Sequence, residues 1–140
     1  MNSGKVFIGF FCLAIASTAW AETPAGLIDG YAREAMRTAP GFVPSAERGK
    51  AFFERDWGVS RKMPRCESCH GNDLTQYGKH VITGKRIKPM SPQVNPERFT
   101  SSSKVEKWFG RNCKDVVGRK CTAAEKADLI KFFSNSGVKS

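Results

Sequence analysis

"CESCH", residues 66–70, is the stretch on which the reading of this chain turns. Two cysteines three positions apart lie on one side of a helical turn, and a histidine follows at once. With that spacing two thiols reach the two vinyl groups of one porphyrin while the next imidazole turns back over the iron, so C-x-x-C-H reads as haem attachment. A redox dithiol would need a βαβ pattern, which is missing, and would leave His70 unused. A zinc site would need a second pair at similar spacing, and Cys113 and Cys121 stand too far apart for that. Cys66 and Cys69 are therefore expected to carry one haem c through thioethers. His70 is expected to bind its iron from one side, its other ring nitrogen hydrogen-bonded to a carbonyl.

The compartment agrees with that chemistry. Lys5, the apolar run "VFIGFFCLAIA" (6–16) and the small-x-small ending Ala19-Trp20-Ala21 form an export leader, cut after Ala21. The run is too short to span a bilayer. Phe11 stands before Cys12 where a lipoprotein signal needs a small residue, so no lipid anchor is expected. Residues 22–140 then form one soluble, periplasmic domain, small enough for a single modest core.

Of the basic residues only Lys5 leaves with the leader, so the strongly positive charge, +10 for the whole chain, persists. Such a surface suits nucleic acid, an anionic membrane or an acidic protein. Export argues against nucleic acid, and no basic amphipathic helix points to a membrane. An acidic redox partner and a merely solvated basic surface both stay open. Arg61, Lys62, Arg65, Lys85, Arg86, Lys88, Lys104, Lys107 and Arg111 flank the motifs and are the candidates for docking.

Cys12 leaves with the leader, and Cys66, Cys69, Cys113 and Cys121 remain. With the first pair in thioethers the second is free to form a disulfide in an oxidising compartment. It would enclose "KDVVGRK", with Gly118 at the turn, and closing so short a loop contributes roughly 2 to 3 kcal/mol on the chain-entropy model.

The periodic segments are helical. "GLIDGYAREAMR" (26–37) is a short N-terminal helix. "SAERGKAFFERDW" (45–57) opens on the cap Ser45 and sets Gly49 and Phe53 on one face, a small-then-aromatic spacing that admits a second helix closely. "SKVEKWFG" (103–110) carries a capping box in Ser103 and Glu106, a stripe in Val105, Trp108 and Phe109, and a stop in Gly110. "TAAEKADLIKFF" (122–133) repeats the device with Thr122 and Glu125. Between His70 and Phe99 the glycines and prolines read as one long loop wrapped around a cofactor edge, and strand signals are weak throughout. The fold class is all-α, a handful of helices around one flat ligand.

The iron's second axial position decides the purpose. Met63 is tethered to the His70 side by its nearness to Cys66. His80 would make a bis-imidazole site, but sits beside Lys79 in a polar loop. Met90, in "KPMSP", would make a six-coordinate, high-potential electron carrier. Ligand strength favours Met90, since a neutral carboxamide is a poor donor. Position favours Asn112, which follows the Trp108 helix and precedes Cys113, on a loop the disulfide would brace.

The segments "SAERGKAFF" (45–53), "PRCESCHG" (64–71), "TGKRIKPMSP" (83–92) and above all "PERFTSSSKVEKWFGRNCKDVVGRKCTAAEKADL" (96–129) resemble the sphaeroides haem protein (SHP) family, oxygen-binding monohaem cytochromes c with an asparagine sixth ligand. The likeness is read over Pro44 to Phe133, with nothing matched before it. It implies thioethers at Cys66 and Cys69, His70 as proximal and Asn112 as distal ligand, and a Cys113–Cys121 disulfide beside the latter. It implies a class I cytochrome c-like fold in which the Gly49–Phe53 helix crosses the C-terminal helix. It also implies electrons from a dihaem cytochrome c, and the basic charge of the chain suits that or another acidic redox protein as the donor. The reduced form would take O2, NO or CO, and its oxygen adduct would oxidise nitric oxide to nitrate, a nitric oxide dioxygenase activity. An amide oxygen is a hard donor that suits ferric iron and is held poorly by the softer ferrous ion, so reduction would open the site. A plain electron shuttle ligated by Met90 is the alternative.

Overall fold

A computed structural model of the chain describes Met1 and residues 22–137; the export leader read at residues 1–21 lies, after Met1, outside the described residues. The elements are α1 (Pro24–Ala35), α2 (Ala46–Glu54), α3 (Glu67–His70), β1 (Gly78–Lys79), β2 (Arg86–Ile87), α4 (Ser102–Val117) and α5 (Ala123–Asn135). No helix among the described residues is long and apolar enough to cross a membrane.

Each long helix begins where a side chain takes up its first free N–H groups. Thr23 accepts from Gly26 N at 3.1 Å, with Pro24 in the first turn, so α1 starts two residues before the expected boundary. Ser45 accepts from Arg48 N at 3.2 Å for α2. Thr122 and Glu125 close a reciprocal capping box on α5, as the spacing predicts. Burial pushes the Glu125 carboxyl up, but the Arg119 guanidinium and the Thr122 backbone N–H outweigh it and leave its pKa below the ordinary 4.5. A carboxylate held down in the folded state stabilises above its unfolded pKa. Acid unfolding followed by circular dichroism should show this contribution intact above pH 4.5 and lost as pH falls through the lowered folded value; Glu125→Gln should remove the dependence.

Helix α4 departs from expectation at both ends. Its N-cap is Ser101, whose Oγ accepts from Lys104 N, so Ser103 and Glu106 form no capping box. Glu106 instead accepts from Lys126 Nζ of α5 at 2.7 Å and from the buried Tyr31 hydroxyl of α1 at 2.5 Å. Nor does the helix stop at Gly110; it runs on to Val117 and ends at Gly118, left-handed with φ 80°. A glycine inside a helix costs about 1 kcal/mol, and burial of Cys113, Val116 and Val117 beyond it outweighs that. A Cβ at Gly110 would touch nothing within 4 Å. Gly110→Ala should therefore raise stability by about 0.5 to 1 kcal/mol in urea unfolding, whereas a helix ending there would lose stability.

The core sits where α5 lies across α1 and α2. Gly49 is the crossing point: a Cβ there would lie 2.9 Å from Phe132 Cβ and collide with the Asp128 carbonyl. Buried Asp128 fastens the same crossing, accepting from Ser45 N at 2.7 Å and from Arg48 Nε at 2.8 Å. Phe53, from the next turn of α2, meets Phe133 edge-on at 5.6 Å, and Phe99 stacks on Phe133 at 5.7 Å. Phe99 holds φ at 62°, a left-handed conformation costly for an aromatic residue, retained because its ring is locked in that stack. A second buried group, Cys113, Val116, Val117 and Cys121, gathers Phe52, Trp57, Met63, Cys66 and Phe109 around it.

The segment between His70 and Phe99 is not wholly irregular. β1 and β2 pair antiparallel, Gly78 opposite Ile87 and Lys79 opposite Arg86, a ladder too short to leave a period-2 signature.

Candidate cofactor site

Cys66, Cys69 and His70 are brought together by one helical turn. Cys66 has helical φ and ψ and starts α3, its carbonyl accepting from Cys69 N and His70 N, both at 3.3 Å. Gly71 ends the turn at φ 75°. The turn is held from two sides. Phe53 lies 6.1 Å from the His70 ring, linking it to the α2–α5 core. Gly78 of β1 backs directly onto it, and a Cβ there would collide with the Cys69 carbonyl and stand 2.9 Å from His70 Cα. Gly78→Ala should thus push the attachment turn away and cut the haem content per protein severalfold, read as the ratio of Soret to protein absorbance.

The donor chemistry suits a porphyrin and its iron. Burial first, then the charges of Arg98 and His80, push the His70 pKa down to about 4, which leaves a neutral imidazole fit to bind a metal. Its Nδ1 is buried without a hydrogen-bond partner, so the expected carbonyl acceptor is not there. A ring with a buried, unpartnered nitrogen is destabilising until something orders it. Cys66 and Cys69 are not joined to each other, and burial pushes the Cys66 thiol up to about 11, keeping it protonated. Cys66 touches both hydrophobic groups, so the turn lies between α2 and the end of α4. The residues present therefore fit one covalent haem.

The other predicted residues fall into three situations. Cys113 and Cys121 are joined as a disulfide with Cα atoms 5.7 Å apart, and it ties the C-terminal part of α4, across the turn at Gly118, to the residue before the cap of α5. Asn112 stands inside α4, seven residues after Val105 and one before Cys113, and is solvent-exposed, so it belongs to a rigid helix and not to a braced loop. Met90 packs against the main core, its N–H donating to Leu74 O at 3.0 Å, and Met63 packs with Cys66 and the disulfide group. His80 is spent on its own turn, its Nδ1 accepting from the N–H groups of Ile82 at 3.2 Å and Thr83 at 3.3 Å. The nine flanking basic residues are all exposed; Arg86 lies over Tyr77 and Arg111 over Trp108. Trp108, on the α4 face next to Asn112, is 49 % exposed, as are in similar measure Tyr77, Val81 and Ile82 of the loop after His70.

Known proteins place this arrangement. Residues 40–133 match a domain family described only as a domain of unknown function, DUF1924. The cytochrome c-type protein SHP of Cereibacter sphaeroides is 46 % identical over 123 residues, 87 % of this chain and 91 % of that protein. The chain belongs to the SHP family.

The SHP likeness reaches beyond Pro44–Phe133. A solved structure of oxidised SHP, described as an oxygen-binding cytochrome c, superposes with a TM-score of 0.71 at 47 % identity over 81 % of this chain and 97 % of that one. Cytochrome c'' of Methylophilus methylotrophus is 36 % identical over 133 residues, 92 % of each protein. Its oxidised crystal structure gives a TM-score of 0.74, covering 81 % and 94 %. Its solution structure is described in terms of haem-ligand detachment. The fold is thus that of an all-α cytochrome c, and the SHP family's cofactor is one covalently bound haem c. No local pattern distinguishes Gly78 from the other glycines between His70 and Phe99; its approach to α3 alone marks it out.

Proposed function

We propose that this chain is a periplasmic gas-binding monohaem cytochrome in which Cys66 and Cys69 hold the haem, His70 is the proximal ligand, and Asn112 is a distal ligand that leaves on reduction. A bound haem supplies a one-electron redox change and two axial positions, one of which can take a diatomic gas. The observation that carries the reading is the place of Asn112: a polar side chain on the α4 face that carries Val105 and Phe109, next to the disulfide, exposed instead of packed. Support comes also from the relatives, SHP being described as oxygen-binding and cytochrome c'' in terms of ligand detachment.

Helix α4 is held at both ends, by the disulfide and Gly118 at one and by Glu106 with Lys126 and Tyr31 at the other. Asn112 therefore leaves by turning about its two side-chain torsions while the helix stays, and its carboxamide remains near as a hydrogen-bond donor to an incoming gas. Disulfide Cys113–Cys121 acts by keeping that return path short. Exposed basic residues such as Lys104, Lys107 and Arg111 steer an acidic donor, a dihaem cytochrome c or similar protein, toward this face. Oxidation of nitric oxide to nitrate by the oxygen-loaded form is the activity this design would serve. Optical titration of the reduced holoprotein with carbon monoxide tests the reading: a high-spin ferrous spectrum that shifts on addition is expected, and a low-spin spectrum left unchanged would sink it. Mass spectrometry of the exported protein should give Glu22 as the first residue.

The second reading, electron transfer with Met90 as ligand, has in its favour that Met90 is partly buried in the core group that also gathers Cys66.

A further inference from the structure

A continuous basic track runs along one side of the molecule. On α4, Lys104, Lys107, Arg111 and Lys114 recur at helical spacings of three and four, and the stripe ends at Gly118. It lies roughly a third of a turn around the helix from Asn112. At Gly118 the track meets the segment that precedes the attachment turn. A Cβ there would stand 3.2 Å from Val59 Cγ2, and the Arg119 guanidinium lies over the Trp57 ring at 5.8 Å. Arg55 lies over the same ring at 4.4 Å, and Arg61 and Lys62, just after Val59, are exposed. Among the described residues no carboxylate lies within ion-pair distance of Arg55, Arg61, Lys62, Lys114 or Lys120. The acids on this side are spent: Asp56 is met by Arg65 at 4.0 Å and Glu125 by Arg119 at 2.6 Å, while Asp115 offsets one charge at most.

One apolar residue stands among these cations. Val59 is 52 % exposed, on a segment that is held rigidly. Trp57 donates its N–H to Pro64 O at 2.9 Å and its Nε1–H to Phe52 O at 3.3 Å, and it packs against the buried group of Cys113, Val116, Val117 and Cys121. Cys66 packs against that same group. An exposed apolar spot inside a charged rim, on backbone that needs no ordering on contact, has the make-up of a protein interface. We propose that this face is an electron-entry port: an acidic redox protein, drawn along the α4 stripe, seats its carboxylates around Val59 and delivers its electron on the side of Cys66, through which the haem is attached. Charge complementarity chooses the partner, because a basic rim of this density repels another basic surface and speeds encounter with an acidic one. Asn112, on a different side of α4, is left uncovered by a partner seated there. The proposal rests on electron delivery by an acidic donor, as put forward above, and holds with either Asn112 or Met90 as the sixth ligand.

The test uses the ferric holoprotein with flavodoxin as the acidic donor. One electron leaves its anionic flavin hydroquinone, which becomes the neutral semiquinone, and the ferric iron becomes ferrous. Stopped-flow rates at low and high salt are compared for the wild type, for Arg61→Glu with Lys62→Glu, and for Lys104→Glu with Lys107→Glu, two variants that change the net charge equally. Each rate is divided by that with the neutral lumiflavin radical, which removes any change in the iron's own reactivity. The Arg61 and Lys62 pair should lower the second-order rate at low salt on the order of tenfold and flatten its decline with salt, and the Lys104 and Lys107 pair should do so severalfold less. Equal losses in the two variants, a larger loss in the Lys104 and Lys107 pair, or a rate untouched by either would overturn the port. In the wild type, carbodiimide coupling should join Lys62 or Lys120 to a flavodoxin carboxylate, located by peptide mass. Coupling confined to Lys104 and Lys107 would overturn it too, with no variant needed. The carbon monoxide titration is independent of these rates, so gas binding and the port stand or fall separately.

Discussion

Asn112→Ala is expected to change the ferric optical spectrum and to raise the ferric protein's affinity for an added ligand such as cyanide on the order of tenfold or more. A side chain that occupies a site most of the time lowers the apparent affinity of any competitor by the fraction of time the site is free, and its removal returns that fraction. Since Asn112 is exposed on α4 and packs into neither hydrophobic group, its loss should leave the melting temperature nearly unchanged. Met90→Leu is the paired control. It should leave the ferric spectrum alone, and because Met90 packs against the core its effect should appear in stability, by up to about 1.5 kcal/mol. Were only Met90→Leu to alter the spectrum, the thioether would be the ligand and the protein an electron shuttle.

Gly49→Val should be the most damaging single substitution in the scaffold. The helices α2 and α5 touch backbone to backbone at this residue, where one added carbon already meets the Asp128 carbonyl and Phe132 Cβ. A branched side chain must separate the helices, and with them Phe53 from Phe133 and the Asp128 carboxylate from Ser45 N and Arg48. Overpacking of this kind costs about 3 kcal/mol or more, a large part of the stability of a domain of this size. Urea unfolding would measure it. Because Phe53 also stands against His70, the surviving folded protein should carry less haem. A loss under about 1 kcal/mol would mean that the crossing is looser than the structure has it.

Legibility followed distance along the chain. The attachment turn could be read because all its chemistry lies within five residues, and the caps Ser45 and Thr122–Glu125 because a cap satisfies N–H groups two or three positions away. Gly49 and Phe53 betrayed the crossing through their spacing, but not its partner, Asp128, which lies far along the chain. The misreading of α4 has the same origin. Ser103, Glu106 and Gly110 make a plausible short helix taken alone, yet Glu106 is drawn to Tyr31 and Lys126 and the helix continues into a buried turn around Cys113.

By itself, then, the sequence determined the cofactor, its mode of attachment, the helical class and the starts of α2 and α5, since each depends on neighbours a few bonds away. Tertiary structure alone decided that Asn112 rides on a continuous helix tied at both ends. It also set Gly78 against the attachment turn. Those facts come from close approach and desolvation between segments remote in sequence, and no local pattern encodes which carbonyl, ring or charge will be waiting there.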